Sequence, residues 1–216
     1  LAVVDLFSLA LGALLKAVGE LTDSDFERPS GCAGWLVRDL VCHLVIDAQD
    51  VLITLVTPTA DPVTHDAVTY WKVSGSPSDD PLAALTVRLA AAYGEPWMLK
   101  HHVDDVGQAA LRAAQLADPT LKVSTQDMVL CTSGYLGAYV WEWTLHHLDL
   151  VMHLPDAAGP PAQTVARCRE MLERIAGPFP SSWRDVDVLL VGTGRRAPAE
   201  AERAELGDLA IPVYLG

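Results

Sequence analysis

Glu142 and His146 stand four residues apart in the apolar stretch Tyr135 to Leu150, inside a run without proline from Lys122 to Leu154. Positions i and i+4 of a helix lie one above the other on one face. This spacing therefore aims a carboxylate and an imidazole at a single point. A charged carboxylate on a core-facing stripe is costly unless it is paired or bound to a metal. Two chemistries fit: ligation of a divalent metal, or a hydrogen-bonded Glu–His pair that holds two helices together. A metal needs at least one more ligand, and His43, far upstream, is the candidate. Two histidines and a glutamate form a known catalytic zinc set that leaves a fourth position open for water or substrate. An open position also accepts a thiol, because zinc favours the deprotonated sulfur. Asp47, Asp149 or the backbone is expected to hold the second nitrogen of a ligand histidine. Tyr139 and Asp47, on the two stripes that carry the ligands, are the expected contacts of a bound cofactor.

Those side chains need two helices to present them. Residues 36, 40, 43, 47 and 51 share one face of a helix expected from about Trp35 to Thr57, with Asp39 at the positive end of its dipole and Pro58 as its stop. Tyr135, Tyr139, Glu142, His146, Asp149 and His153 share one face of a helix from Thr132 to Leu154, with Thr132 or Ser133 as cap and Pro155 as stop. His147 falls one residue off that stripe and should face elsewhere. His65, His101 and His102 lack suitable helical partners and read as surface or loop histidines.

Residues 1–21 form a further helix with an apolar stripe, and another starts at Asp80-Pro81, breaks at Gly94-Glu95-Pro96 and resumes from Trp97 to Leu116. The proline-rich connection over residues 58–80 is expected to pack on the bundle through Tyr70, Trp71 and Lys72, with a pocket lining as the alternative use of these three. Leu121 to Val123 reads as a short extended piece. After Pro155 the character changes: a linker over residues 156–161, a helix from Thr164 to Ala176, a strand over Asp187 to Val191 with a Gly-Thr-Gly turn, a short helix from Ala197 to Leu206, and a second strand over Ile211 to Leu215. The expected fold is mainly α. It is a four-helix bundle over residues 1–155, with a small α/β C-terminal extension over residues 156–216 packed on it.

Composition removes several function classes. A formal charge of −13 without a visible basic face excludes nucleic acid as a partner and docking on an anionic membrane. The apolar start is interrupted by Asp5, Lys16 and Glu20 and lacks a basic leader or cleavage site, so it reads as a buried first helix. That helix completes either an intramolecular core or a dimer interface, which leaves monomer and homodimer open. Opening on leucine, the sequence is expected to lack a few N-terminal residues. Cys32, Cys42, Cys131 and Cys168 form no CxxC pair, so reduced thiols in a cytoplasmic protein are expected, each a small buried hydrophobe.

Leu21-Thr22-Asp23-Ser24-Asp25-Phe26, Pro29, and Gly31-Cys32-Ala33-Gly34-Trp35-Leu36-Val37-Arg38-Asp39-Leu40-Val41-Cys42-His43-Leu44, together with Glu142 and His146-His147-Leu148-Asp149-Leu150, make a wider pattern. It resembles the N-terminal domain of the mycothiol-dependent maleylpyruvate isomerase family, within the DinB-like metal-binding four-helix bundles. The resemblance implies a Gly-Trp-x-Val-Arg-Asp-Leu-x-x-His-Leu signature on the second helix and Glu-x-x-x-His-His-x-Asp-Leu on the fourth. It makes His43, Glu142 and His146 the ligands of a divalent metal, with zinc the usual ion. It also implies a mycothiol-type thiol as cosubstrate and a small electrophile as its partner. The family's named member has a larger C-terminal domain that contributes a catalytic arginine. The tail here, Gly192-Thr193-Gly194-Arg195-Arg196 with Glu202-Arg203 and Leu206-Gly207, is similar to members with a short extension. Arg195 or Arg196 is the candidate substitute, against the alternative of an exposed arginine after a strand.

Three function classes stand on this reading. The first is a metal-dependent enzyme that transfers a small thiol to an electrophile or isomerises it. The others are a non-catalytic metal- or ligand-binding bundle and a metal-dependent hydrolase. A second carboxylate near the metal favours hydrolysis, and a deep polar groove leading to it favours thiol transfer.

Overall fold

The computed structural model describes residues 1–71, 73–74, 81–209 and 211–215. Lys72, expected to pack on the bundle with a pocket lining as the alternative, and Asp80, read as a helix cap, lie outside them. The first five helices are α1 (Val3–Glu20), α2 (Val37–Leu55), α3 (Pro81–Ala92), α4 (Pro96–Leu116) and α5 (Thr132–Val151). Four of them make the bundle: α1 packs on α4 and α5, and α2 packs on the same two. The expected break between the third and fourth is complete. Gly94 takes φ +72°, a left-handed conformation that favours glycine, and Pro96 opens α4. Freed from α4, α3 lies on α2.

The apolar stripes meet inside. Phe7, Leu11 and Leu14 of α1, Leu40 and Leu44 of α2, Leu99 and Val103 of α4, and Trp141 and Trp143 of α5 are at most 2% exposed. Each such side chain contributes roughly 1.5–3 kcal/mol relative to exposure. The first helix thus spends its apolar face within the chain. Asp39 accepts a hydrogen bond from the Leu36 N–H (2.8 Å), holding the first turn of α2 as its position suggested.

Helix α5 is covered on nearly every side. Phe7 meets Trp143 edge-on at 6.3 Å from α1. The Cys168 thiol donates to the Val140 carbonyl (3.7 Å) from α6 (Ala162–Ala176). Trp71 Nε1 donates to the Ala138 carbonyl (3.3 Å) from the long connection. Tyr70 packs edge-on against Tyr135, with ring centroids 5.8 Å apart. Both aromatics of that connection therefore pack on the bundle. A helix apolar on all faces belongs in an interior, and here it carries the polar stripe towards α2.

Several local expectations change. Neither Thr132 nor Ser133 caps α5: the Thr132 hydroxyl donates to the Leu121 carbonyl (3.0 Å) and the Ser133 N–H to the Pro119 carbonyl (3.0 Å). The extended piece at residue 121 is one half of a hairpin, β2 (Lys122–Thr125) with β3 (Met128–Cys131). Its turn is Gln126 and Asp127, both at positive φ (47° and 62°), the twist that tight hairpins require.

The strand expected over Asp187 to Val191 is instead helix α7 (Asp185–Gly192). A short apolar run suits a buried strand or a buried helix equally. Asp185 and Asp187 in the first turn favour the helix, and Val188, Leu189 and Val191 bury themselves beside α6. A Cβ on Gly192 would come within 2.5 Å of Leu172 Cδ2, so that turn has no room for a side chain. After α8 (Glu200–Leu206) comes β4 (Tyr214–Leu215), which pairs antiparallel with β1 (Val73–Ser74) rather than with residues 187–191. The tail shares its hydrophobic core with the bundle through Cys168, Met171 and Leu172.

Candidate metal centre

His43 and Asp47 on α2 face Glu142 and His146 on α5 about midway along both helices. One ligand-type atom from each of the four lies within 4.8 Å of the others. His146 Nε2 stands 2.8 Å from Glu142 Oε1, and His43 Nε2 stands 3.4 Å from the same oxygen. Asp47 Oδ2 is 3.1 Å from that same His43 nitrogen. The two imidazoles meet edge-on, with centroids 4.9 Å apart. The sequence-derived trio is thus brought together, and Asp47 joins it. Of the three groups expected to hold the second nitrogen of a ligand histidine, Asp47 instead faces the nitrogen that looks into the cluster.

One imidazole N–H cannot serve two carboxylates. Among the described residues Asp47 Oδ2 accordingly makes no hydrogen bond, although it is sealed from solvent. Nitrogen and oxygen ligands of four-coordinate zinc lie about 2.0–2.1 Å from the ion, hence roughly 3.3 Å apart. The separations of 2.8, 3.1 and 3.4 Å are close to that spacing. The donor set, two imidazoles and two carboxylates around an oxygen without a partner, fits a divalent cation.

Electrostatics describe the same crowding. Burial pushes the Asp47 carboxyl up to about 7, against the pull of His43 and with help from the Glu142 charge. Burial also opposes ionisation of Glu142, but the charge of His146 and hydrogen bonds from both imidazoles overcome it and hold that carboxyl well below its ordinary value. The His146 imidazole is lifted well above its ordinary value: burial works against this, and Glu142 outweighs it, with help from Cys32 and Asp149. His43 is raised as well, burial being outweighed by Asp47 and Glu142. Without a cation, protons supply the positive charge that these carboxylates require.

The other nitrogen of His146 is also held. Nδ1 donates to Asp149 Oδ2 (3.0 Å), the arrangement expected of a ligand histidine. Asp149, 1% exposed, accepts two further bonds from Arg195, Nε to Oδ1 and Nη2 to Oδ2, each 2.8 Å. The exposed-arginine alternative for Arg195 is therefore corrected, because the residue follows a helix and turns inward. Arg196 points away and forks onto Glu202 (2.8 and 2.8 Å). Cys32, read as a buried hydrophobe, is only partly covered, and its thiol donates to Asp149 Oδ2 at 3.5 Å. Its loop is pressed onto α5: the Gly31 N–H donates to the Asp149 carbonyl (2.8 Å), and a Cβ on Gly31 would lie 2.8 Å from Asp149 Cα.

Other stripe residues do different work. Tyr139 donates its hydroxyl to Asp50 Oδ2 (2.7 Å), as does Tyr135 (3.1 Å), so the polar atom of Tyr139 turns to Asp50 rather than into the cluster. Asp50 was legible as the seventh residue after His43, two helical turns along the same face. His153 is exposed, which ends the stripe at Asp149. His147, off the stripe, is buried with Nε2 donating to the Ala158 carbonyl (2.8 Å). His102 is half-buried against the Tyr93 hydroxyl (2.6 Å), whereas His101 is exposed.

The cluster keeps a route outward, since the His43 side chain is 25% exposed and those of Asp47, Glu142 and His146 are 13–14%. Cavities of about 280, 410 and 500 Å³ open elsewhere, at Arg28 and Asp156, at Arg196 and Pro212, and at Leu6 and Arg167. No helix among the described residues is long and apolar enough to cross a membrane.

The family described as mycothiol maleylpyruvate isomerase N-terminal domain matches residues 7–151, which hold all four cluster residues and Asp149. No curated protein matches the chain, and no solved structure does.

Proposed function

The chain belongs to the mycothiol maleylpyruvate isomerase N-terminal domain family, and from that premise we propose a divalent-metal-dependent enzyme that uses a small thiol of the mycothiol type against a small electrophile. His43, Glu142 and His146 hold the ion, zinc being the best match to two imidazoles and a carboxylate. The observation that carries this reading is Asp47 Oδ2, sealed from solvent without a hydrogen bond and facing a nitrogen it must share with Glu142. Most buried polar atoms find a partner, and a cation among the four side chains would supply one here.

The chemistry a bound divalent ion supplies is charge, which keeps a thiol in its nucleophilic, deprotonated form at neutral pH. The protein's own groups do the rest. Asp149 fixes the ring of His146 so that Nε2 looks into the cluster. Asp47 Oδ2 takes the proton that the thiol loses. The sulfur then bonds to the electrophilic carbon, and the same proton is returned to the adduct. Trp35, tilted over the His43 ring at 5.3 Å, gives the cluster an apolar neighbour. This reading places the protein in the cytoplasm, where small thiols are kept reduced.

Asp47 also favours a second reading. A carboxylate beside the ligands serves equally as general base towards water, which makes a metal-dependent hydrolase the competitor. Protein purified without chelator should carry about one divalent ion per chain by elemental analysis, and His146→Ala should carry none. A metal-free wild type that loses stability on His146→Ala leaves only a structural Glu–His pair. Thermal-shift measurements of the loaded protein with mycothiol and other small thiols then separate the chemistries. Stabilisation by a thiol supports transfer, and turnover without any thiol supports hydrolysis. Binding without turnover across a panel of electrophiles and esters identifies a non-catalytic bundle.

A further inference from the structure

We propose that Arg195 is a positioning residue for the metal ligand His146, acting through Asp149, so that the segment after α7 completes a centre whose ligands all lie on the bundle. The inference rests on the reading that His146 binds a metal. Arg195 lies outside residues 7–151, the part of the chain that the family matches.

Geometry carries it. A guanidinium forked on a carboxylate fixes the plane of that carboxylate as well as its charge. Here both bonds are 2.8 Å, and the orientation they impose sends Asp149 Oδ2 to His146 Nδ1 at 3.0 Å. Asp149 cannot slide away, because its backbone is pressed against Gly31. Nor is Arg195 a loose side chain. The Thr193 N–H donates to the Leu189 carbonyl (3.0 Å), the Gly194 N–H to the Val191 carbonyl (3.1 Å) and the Arg196 N–H to the Leu190 carbonyl (2.9 Å), which lashes the turn to the end of α7. Gly194, at φ +76°, lets the chain reverse there. The arginine is thus held by α7, α7 by α6, and α6 by α5.

Without the fork, the buried Asp149 carboxylate keeps, among the described residues, only the imidazole and the Cys32 thiol, and it is free to rotate about Cβ–Cγ. The ring it orients then loses its fixed aim at the cluster. The chain from Arg195 to Asp149 to His146 is serial, so breaking either link should cost the same function.

The test is metal affinity, read by competition with a chromophoric chelator, together with the visible spectrum of the cobalt-loaded protein. Arg195→Met should weaken binding about 10- to 100-fold, the range for losing an outer partner of a ligand histidine, and should change the cobalt spectrum. Asp149→Asn should do the same, and the double variant should be no weaker than the worse single one. Arg196→Met, which breaks the neighbouring fork on Glu202, should leave affinity within about twofold, since that residue has no path to the ligands. Wild-type affinity and spectrum in Arg195→Met overturn the inference. So do losses that multiply in the double variant, or an equal loss in Arg196→Met, which would mark a general effect of the tail. If Arg195→Met does not fold, Arg195→Lys carries the test: charge without the fork should still shift the spectrum and weaken binding, and an unchanged lysine variant overturns the proposal. A wild type that binds no ion removes the metal reading itself and this inference with it, whereas a wild type that binds beside an unchanged Arg195→Met removes the inference alone.

Discussion

Asp47 and Asp50 sit less than one helical turn apart on α2, facing the same helix, and they lead opposite lives. Asp50 receives two tyrosine hydroxyls, from Tyr135 and Tyr139, and each donor has one acceptor. Asp47 competes with Glu142 for a single imidazole nitrogen and is left with an oxygen that nothing serves. At one end of the α2–α5 interface the carboxylate is served by two donors, and at the other two carboxylates compete for one imidazole nitrogen. On the proposed reading, the difference separates a polar group kept for structure from one kept for a ligand. Burial alone does not make that distinction, because both acids lie in the same interface.

The widest separation between the two ends should appear on titration of the metal-free protein. Asp47 has its folded value raised from 3.8 to about 7, so the folded state holds a proton that the unfolded state gives up, and stability falls as pH rises through that window. His43 and His146 are also raised. Their contribution is complete below the ordinary histidine value of 6.5 and is lost as pH climbs through the folded values. Glu142, held low, contributes throughout and is lost only on strong acidification. Chelator-treated protein should therefore lose stability between pH 5 and pH 8 by an amount on the order of several kcal/mol. Metal affinity should rise over the same range, because binding displaces protons. Chemical denaturation with and without chelator checks both. A flat profile for the metal-free form would break the contrast at its root.

Asp50→Ala comes next. It strands two buried hydroxyls and should cost roughly 3 kcal/mol, while leaving about one ion per chain bound, because neither tyrosine reaches the cluster. Loss of the ion with Asp50 would show that the two ends are one site. Asp47→Asn should do the reverse, flattening the pH profile and stabilising the metal-free form at pH 8. Thiol-dependent turnover should fall about 100-fold or more if Asp47 moves the proton. An Asp47→Asn variant purified without its ion would make that residue a fourth ligand. The smallest effect belongs to Tyr139→Phe, about 1 kcal/mol of stability, with affinity for metal and thiol unchanged. A thiol that no longer shifts the melting temperature of this variant would restore Tyr139 as a cofactor contact.

How much of this the chain reveals before folding depends on distance along it. The stripes on α2 and α5 were legible because helical periodicity is local, and the facing of His43 to Glu142 followed once both stripes were seen. Asp50 obeys the same period and could have been read with them. The pairing of Asp149 with Arg195 has no periodic signature, since the two meet only because α6 and α7 fold back across α5. Helix α7 reads as a strand in sequence because so short an apolar run carries no period long enough to tell 2.0 from 3.6, and the deciding acids lie at its start. The hairpin of β2 and β3 has no clear signal in sequence, because Gln126-Asp127 supplies positive φ without the Asn-Gly or Asp-Gly pair that usually announces it.

The separation of the cluster residues along the chain has a consequence for how the protein is made. A chain emerging from the ribosome presents α2 long before α5. Until Glu142 and His146 appear, His43 and Asp47 are two ordinary groups in water, and no cation has reason to stay. Arg195 emerges later still, after all four cluster residues. On the proposed reading, loading waits for α5, and the ring of His146 gains its fixed aim only once the segment after α7 has folded back onto it.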